Sequence, residues 1–193
     1  MIWENNDDIR IEHCDSSRRS IQDVLDRCRE ERRPYVVQTT SQATISNLSK
    51  ILVPVSMLEE EVYKAEICTY LARKTSAHII LLRANDYGSK AKQNTQRIIA
   101  HIQTIAERTG ETITYEERTA KGDSFHIHKE LHNHITSLTT DSQSGGALIL
   151  LTASREYGLD DWLFGPPEQY VIRHSQVPVM LINPRGDLFS LCD

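Results

Sequence analysis

Ala147-Leu148-Ile149-Leu150-Leu151, then Pro166-Pro167-Glu168-Gln169-Tyr170-Val171-Ile172-Arg173-His174, then Val177-Pro178-Val179-Met180-Leu181-Ile182, decide the fold. The first run is apolar without alternation, which suits a parallel strand covered on both faces. The paired prolines suit a first helical turn, and Arg173 and His174 give the short helix a basic C-terminal end. The last run is the next strand. Pro178 has no N–H for a ladder, so the sequence predicts that this strand begins at a sheet edge or outside regular pairing.

Outward from that stretch the pattern repeats as strand, helix, strand, helix. Ile51 to Val55 is a strand, and a helix follows from about Leu58 to Lys74 with Val62, Ala65, Cys68, Leu71 and Ala72 inward. His78 to Ala84 is a strand. The helix from about Lys90 to Arg108 is stopped by Gly110, Glu111 to Thr119 alternates like a strand near an edge, and a helix opens at Gly122-Asp123. Such alternation implies right-handed parallel crossovers. The fold class is therefore α/β, a doubly wound, mostly parallel five-stranded sheet. Residues 1–49 form an N-terminal β-α-β extension and residues 50–193 the main domain. In the extension, Ile9 and Ile11 alternate with charges, Asp15 to Ser17 cap a helix with Ile21, Val24, Leu25 and Cys28 on one face, and Tyr35 to Thr40 form a strand. Three such elements cannot bury their apolar faces alone, so the extension docks on the main domain or on a partner copy. Internal repeats are not apparent.

Length and composition bound the function. The chain has 193 residues, 39% of them hydrophobic, and a formal net charge of -5. That balance gives no electrostatic reason for a nucleic-acid partner. No apolar run approaches membrane-spanning length. Cys14, Cys28, Cys68 and Cys192 have irregular spacing and no secretory signal before them, which favours reduced thiols and a cytoplasmic location.

The runs 147–151, Gly158-Leu159, Leu163-Phe164-Gly165, 170–174 and Val177-Pro178-Val179, with Ile51-Leu52-Val53-Pro54-Val55 as a first strand, resemble a universal stress protein domain over residues 50 to 183. The resemblance implies a ligand crevice at the carboxyl ends of the strands starting at Ile51 and Ala147, where a doubly wound sheet reverses direction. It further implies a homodimer paired through the C-terminal strand Val177 to Ile182, an apolar strand that needs cover; packing there by the N-terminal strands Ile9 to His13 or Tyr35 to Thr40 is the competitor. Nucleotide-binding members carry Gly-x-x-Gly, a spacer and Gly-Ser/Thr, with an acidic residue just after the first strand. The corresponding positions here are Thr152, Arg155, Gly165 and Pro166, with Ser56 at the acidic position, and only Gly165 keeps the pattern. Ala84 and Gly122 belong to the same rim. Side chains at Thr152 and Arg155 obstruct the close backbone approach that phosphates need, and Pro166 offers neither N–H nor hydroxyl. The expectation is therefore no cofactor, with ATP as the alternative.

Other constellations have ordinary explanations. His126, His128, His132 and His134 include an i, i+4 pair, but lack the HExxH order and diverge around a helix, so no metal site is assigned. Glu59-Glu60-Glu61 complements a helix N-terminus. Asp160 and Asp161 suit a solvated loop, and Arg185-Gly186-Asp187 a turn. No nucleophile elbow or P-loop is present. The expected function is a non-enzymatic stress-response protein acting through dimerisation or an unidentified protein partner. The alternatives are an ATP-dependent switch and a small nucleotide hydrolase or transferase.

Overall fold

A computed structural model describes residues 9–31, 33–42, 47–139, 145–154 and 166–183. Its strands are β1 (Arg10–Cys14), β2 (Tyr35–Thr39), β3 (Leu48–Val55), β4 (His78–Arg83), β5 (Tyr115–Thr119), β6 (Gly146–Thr152) and β7 (Val179–Ile182). The helices are α1 (Arg18–Cys28), α2 (Lys64–Thr75), α3 (Lys90–Thr109), α4 (Ile127–Thr139) and α5 (Pro167–His174), with a 3₁₀ turn at Glu59–Tyr63 before α2. The Lys64 boundary corrects the single helix expected from Leu58. Gly110 stops α3 as expected, at φ 69°, its N–H donating to Ala106 O at 2.9 Å.

The strands form one sheet in the order β1-β2-β7-β6-β3-β4-β5, parallel throughout except between β2 and β7. Seven strands replace the expected five because the extension contributes β1 and β2 to the same sheet. Alternating side chains divide the core into two clusters. Leu52, Ile80, Ile149 and Leu181 point to the face covered by α1, α4 and α5. Ile51, Leu81, Leu150 and Met180 point to the face covered by α2 and α3. Strands buried on both faces read as continuous apolar runs, which is why β3, β4 and β6 are plain in the sequence.

The last strand is covered, as expected, and its cover is the N-terminal strand β2, the competitor to pairing with a copy. β7 lies between β6 and β2, and Val179, Met180, Leu181 and Ile182 are fully buried. Pro178 falls just before the strand, where its missing N–H costs nothing, and its carbonyl accepts from Ile149 N at 3.2 Å. Pairing β7 with a second copy, as the resemblance implied, would require β2 to leave. The edges of the sheet are β1 and β5. β5 protects itself with charge, for Glu116, Glu117 and Arg118 lie on it. Truncating Met180 should therefore behave as an interior core change. Met180→Ala is expected to lower urea stability by about 2–5 kcal/mol, and a loss below about 0.5 kcal/mol, as at an exposed position, would contradict the interior placement.

Candidate functional site

β3 and β6 are neighbours, and the chain leaves them in opposite directions, to β4 on one side and β7 on the other. Their carboxyl ends therefore flank a crevice, the place where open α/β sheets bind ligands. The cavity there is about 250 Å³. Its walls are mainly apolar, from Met57, Leu58, Phe125, Leu131, Leu151 and Val171. Ser56, His128, Thr152 and Ser154 bring polar atoms to it.

The expected rim is assembled in part. Ser56 and Thr152 line the cavity. Pro166 caps α5 with extended backbone, and Pro167 faces the crevice. Ala84 is buried at the end of β4, its N–H donating to Val55 O at 2.9 Å. Gly122 lies in the turn between β5 and α4, beyond the cavity wall. Arg155 and Gly165 lie outside the described residues, as do Asp160, Asp161 and the 185–187 triplet.

Carboxylates that sequence reading assigned no site role organise the rim. The Glu168 carboxylate, in the first turn of α5, accepts from Ser154 N at 3.0 Å and from Ser154 Oγ at 2.9 Å. Glu61 Oε2 accepts from Ser56 N at 3.3 Å. At the end of β5, Glu130 accepts from Lys121 N at 2.9 Å and from Gly122 N. A side chain at Gly122 would meet Glu130 Oε1 at 2.8 Å, so the Glu130 carboxylate would have to shift to admit it. Asp86 receives Ser124 N at 2.8 Å and Ser124 Oγ at 2.5 Å. Free backbone donors at strand ends and helix starts are what anions bind. At these positions the donors already have anions, supplied by the chain itself.

Glu61 and Glu168 are 6% and 3% exposed, and Lys64 is 1% exposed. Lys64 Nζ is spent on the Glu61 carboxylate and on Pro54 O. Asn94 Nδ2 fastens the same loop by donating to Ser56 O at 3.0 Å and Leu58 O at 2.7 Å. Glu59-Glu60-Glu61 lie in the first helical turn, where the sequence places them as a complement to the helix N-terminus. Glu61 turns inward, and its one sequence signal is Lys64 at i+3.

His126, His128 and His134 face different partners. His126 Nδ1 is 2.7 Å from Asp123 Oδ1, and this contact holds the Asp123 carboxyl below its ordinary range. His128 lines the cavity and meets the Tyr170 ring edge-on at 5.6 Å. Burial, with Lys129 and His126 nearby, lowers its pKa from 6.5. Burial also lowers His134, which stands 4.0 Å from Glu130. Among the described residues, no three His, Cys, Asp or Glu side chains are grouped to hold a metal ion. The cysteines carry no activated thiol among those described, since burial pushes Cys28 up to about 11 and Cys68 up to about 12, and raises Cys14 as well. No helix among the described residues is long and apolar enough to cross a membrane.

Comparison with known proteins agrees with this architecture. The family model described as the universal stress protein family matches residues 47–183. Among solved structures, a universal stress protein from Archaeoglobus fulgidus DSM 4304 superposes with a TM-score of 0.62 at 14% identity, over 94% of this chain and 63% of that one. This chain thus spans less than two thirds of the length of that relative. A universal stress protein in complex with cAMP superposes with a TM-score of 0.50 at 16% identity, over 71% of this chain and 98% of that one. A functionally unknown protein from Pseudomonas aeruginosa PAO1 gives a TM-score of 0.53 at 14% identity, over 94% and 64% of the two chains. No curated protein sequence matches. With the family model covering more than half of its length, the chain belongs to the universal stress protein family.

Proposed function

We propose that this chain is a non-enzymatic universal stress protein of the cytoplasm that acts through a protein partner and does not use ATP. The observation that carries this reading is the Glu168 carboxylate on Ser154 N and Oγ, at the carboxyl end of β6. A nucleotide phosphate at that position would have to displace a buried carboxylate and then sit beside it. Glu61 adds a second buried carboxylate to the same crevice, and Lys64, the one Lys or Arg among its described lining residues, is already engaged. Each charged hydrogen bond forgone costs about 1.5–3 kcal/mol. Two or three such losses move a micromolar dissociation constant to millimolar or weaker, at about 1.4 kcal/mol per tenfold. Thr152 and Pro166 act in the same direction, the first by adding a side chain, the second by lacking an N–H.

A nucleotide-dependent switch is the competing reading, prompted by the relative that holds cAMP. A hydrolase or transferase would need an activated nucleophile or base in the crevice, and the buried thiols do not supply one. Titration calorimetry with magnesium-ATP and with cAMP separates the first two readings. No saturable heat is expected below millimolar ligand; a dissociation constant in the low micromolar range for either would overturn the proposal.

The crevice also makes stability predictions. Glu61→Ala strands Lys64 as an unpaired buried charge, and breaking such a pair costs about 3–5 kcal/mol; replacing both residues together by Leu and Met should recover most of that in a urea titration. The pH dependence follows from His128 and His134. Their folded pKa values lie below the unfolded 6.5. Between the folded values and 6.5 the unfolded chain binds more protons, so stability is full above 6.5 and is lost as pH falls below it. The melting temperature should drop on acidification from pH 7 to pH 5.5, and His128→Leu should flatten that slope.

A further inference from the structure

The units β1-α1-β2 and β6-α5-β7 share one wiring. Each is a strand, a helix on the same face of the sheet, and a second strand parallel to the first. Where the units meet, β2 and β7 run antiparallel, with Tyr35 opposite Leu181, Val36 opposite Met180 and Val37 opposite Val179. A shift of 144 residues carries Tyr35 onto Val179, Val36 onto Met180 and Val37 onto Leu181. Under that exchange the register maps onto itself, with Val36 and Met180 as the central pair. Isologous contacts between identical copies have this property.

The same shift relates the carbonyl acceptors around the contact, while the side-chain donors Gln42 and Asn183 stand 141 residues apart. Pro34 corresponds to Pro178. Pro34 O accepts from Arg10 N at 3.1 Å, and Pro178 O from Ile149 N at 3.2 Å. Arg10 and Ile149 are themselves equivalent, since they stand opposite Tyr35 and Val179. Cys28 corresponds to Ile172 and Glu31 to Ser175, the carbonyls at and just beyond each helix C-terminus. Asn183 Nδ2, arriving after β7, donates to Cys28 O at 3.0 Å and Glu31 O at 2.5 Å. Gln42 Nε2, arriving after β2, donates to Ile172 O at 3.3 Å and Ser175 O at 3.1 Å. Each unit thus closes the other's helix end. α1 and α5 also touch, Gln169 Nε2 donating to Gln22 Oε1 at 2.8 Å. Packing of two unrelated units would not require this reciprocity.

We infer that β1-α1-β2 takes, within one chain, the place that the β6-α5-β7 unit of a second copy would take in a two-fold dimer. The partner of this surface is the chain's own N-terminal unit, so β7 does not pair with another copy.

Cysteine cross-linking in the full chain tests this. Residues opposite one another on antiparallel strands have Cα atoms about 4.5–5.5 Å apart, inside the disulfide window. Oxidised Val36→Cys/Met180→Cys should give a species of monomer mass in which peptide mapping joins positions 36 and 180. Met180→Cys alone should give no link between chains. In a two-fold β7 dimer, by contrast, Met180 would face its own copy, so a 180–180 link between chains would overturn the inference, as would a 36–180 link between chains. The unmodified protein provides a second measurement if the variants fold poorly. Amide exchange protection at Val36 and at Val179 to Leu181 should be unchanged on dilution from micromolar to nanomolar, whereas protection that falls with concentration would show pairing between chains.

Discussion

Buried or half-buried backbone N–H groups must find acceptors, and in this fold the ends of parallel strands leave several without a ladder partner. The chain answers with its own carboxylates. Glu61 serves the loop after β3, Glu130 the turn after β5, and Glu168 the residue after β6. At these strand ends the backbone donors are therefore already bonded within the chain. The same bonds tie each loop to the helix that follows it. Lys64 completes the arrangement, since a buried Glu61 without it would carry an uncompensated charge.

The second constraint is the sheet edge. A parallel sheet ending in β7 would expose an apolar strand, an aggregation liability. Here β2 covers it, and β2 is buried in turn between β1 and β7. The edges that result are better suited to water. On β1, Arg10 bonds Glu12 and Glu31, and Glu12 also pairs with Arg27 from α1. The N-terminal unit is therefore part of the sheet, joined to it through the β2–β7 contact.

Much of this was legible in the sequence. Continuous apolar runs marked β3, β4 and β6, and the period of Ile21, Val24, Leu25 and Cys28 marked α1, which Ser17 caps as expected by accepting from Ser20 N. Sheet order placed Ser56 and Thr152 beside one crevice, as the resemblance implied. The dispositions that were not legible depend on long-range contacts. Nothing local distinguishes Glu168 at a helix start, where a macrodipole explains it, from Glu168 holding Ser154. Pro178 pointed to an edge or to a place outside regular pairing, and the second holds, because it falls one residue before the strand. The kinship of the two β-α-β units was hidden as well. Over the segments 28–39 and 172–183 they share only the arginine at 29 and 173 and the proline at 34 and 178, while the geometry they share lies in backbone register and carbonyl capping.

The proposal that the chain's own carboxylates occupy the phosphate positions is tested most directly at the Ser154 amide. In an ¹⁵N-labelled sample, a strong charge-assisted bond to Glu168 should move that amide far downfield, Glu168→Ala should remove the displacement, and millimolar magnesium-ATP should leave the wild-type resonance in place. A saturable shift of the Ser154 and Ser56 amides with nucleotide, at a dissociation constant in the micromolar range, would contradict the account.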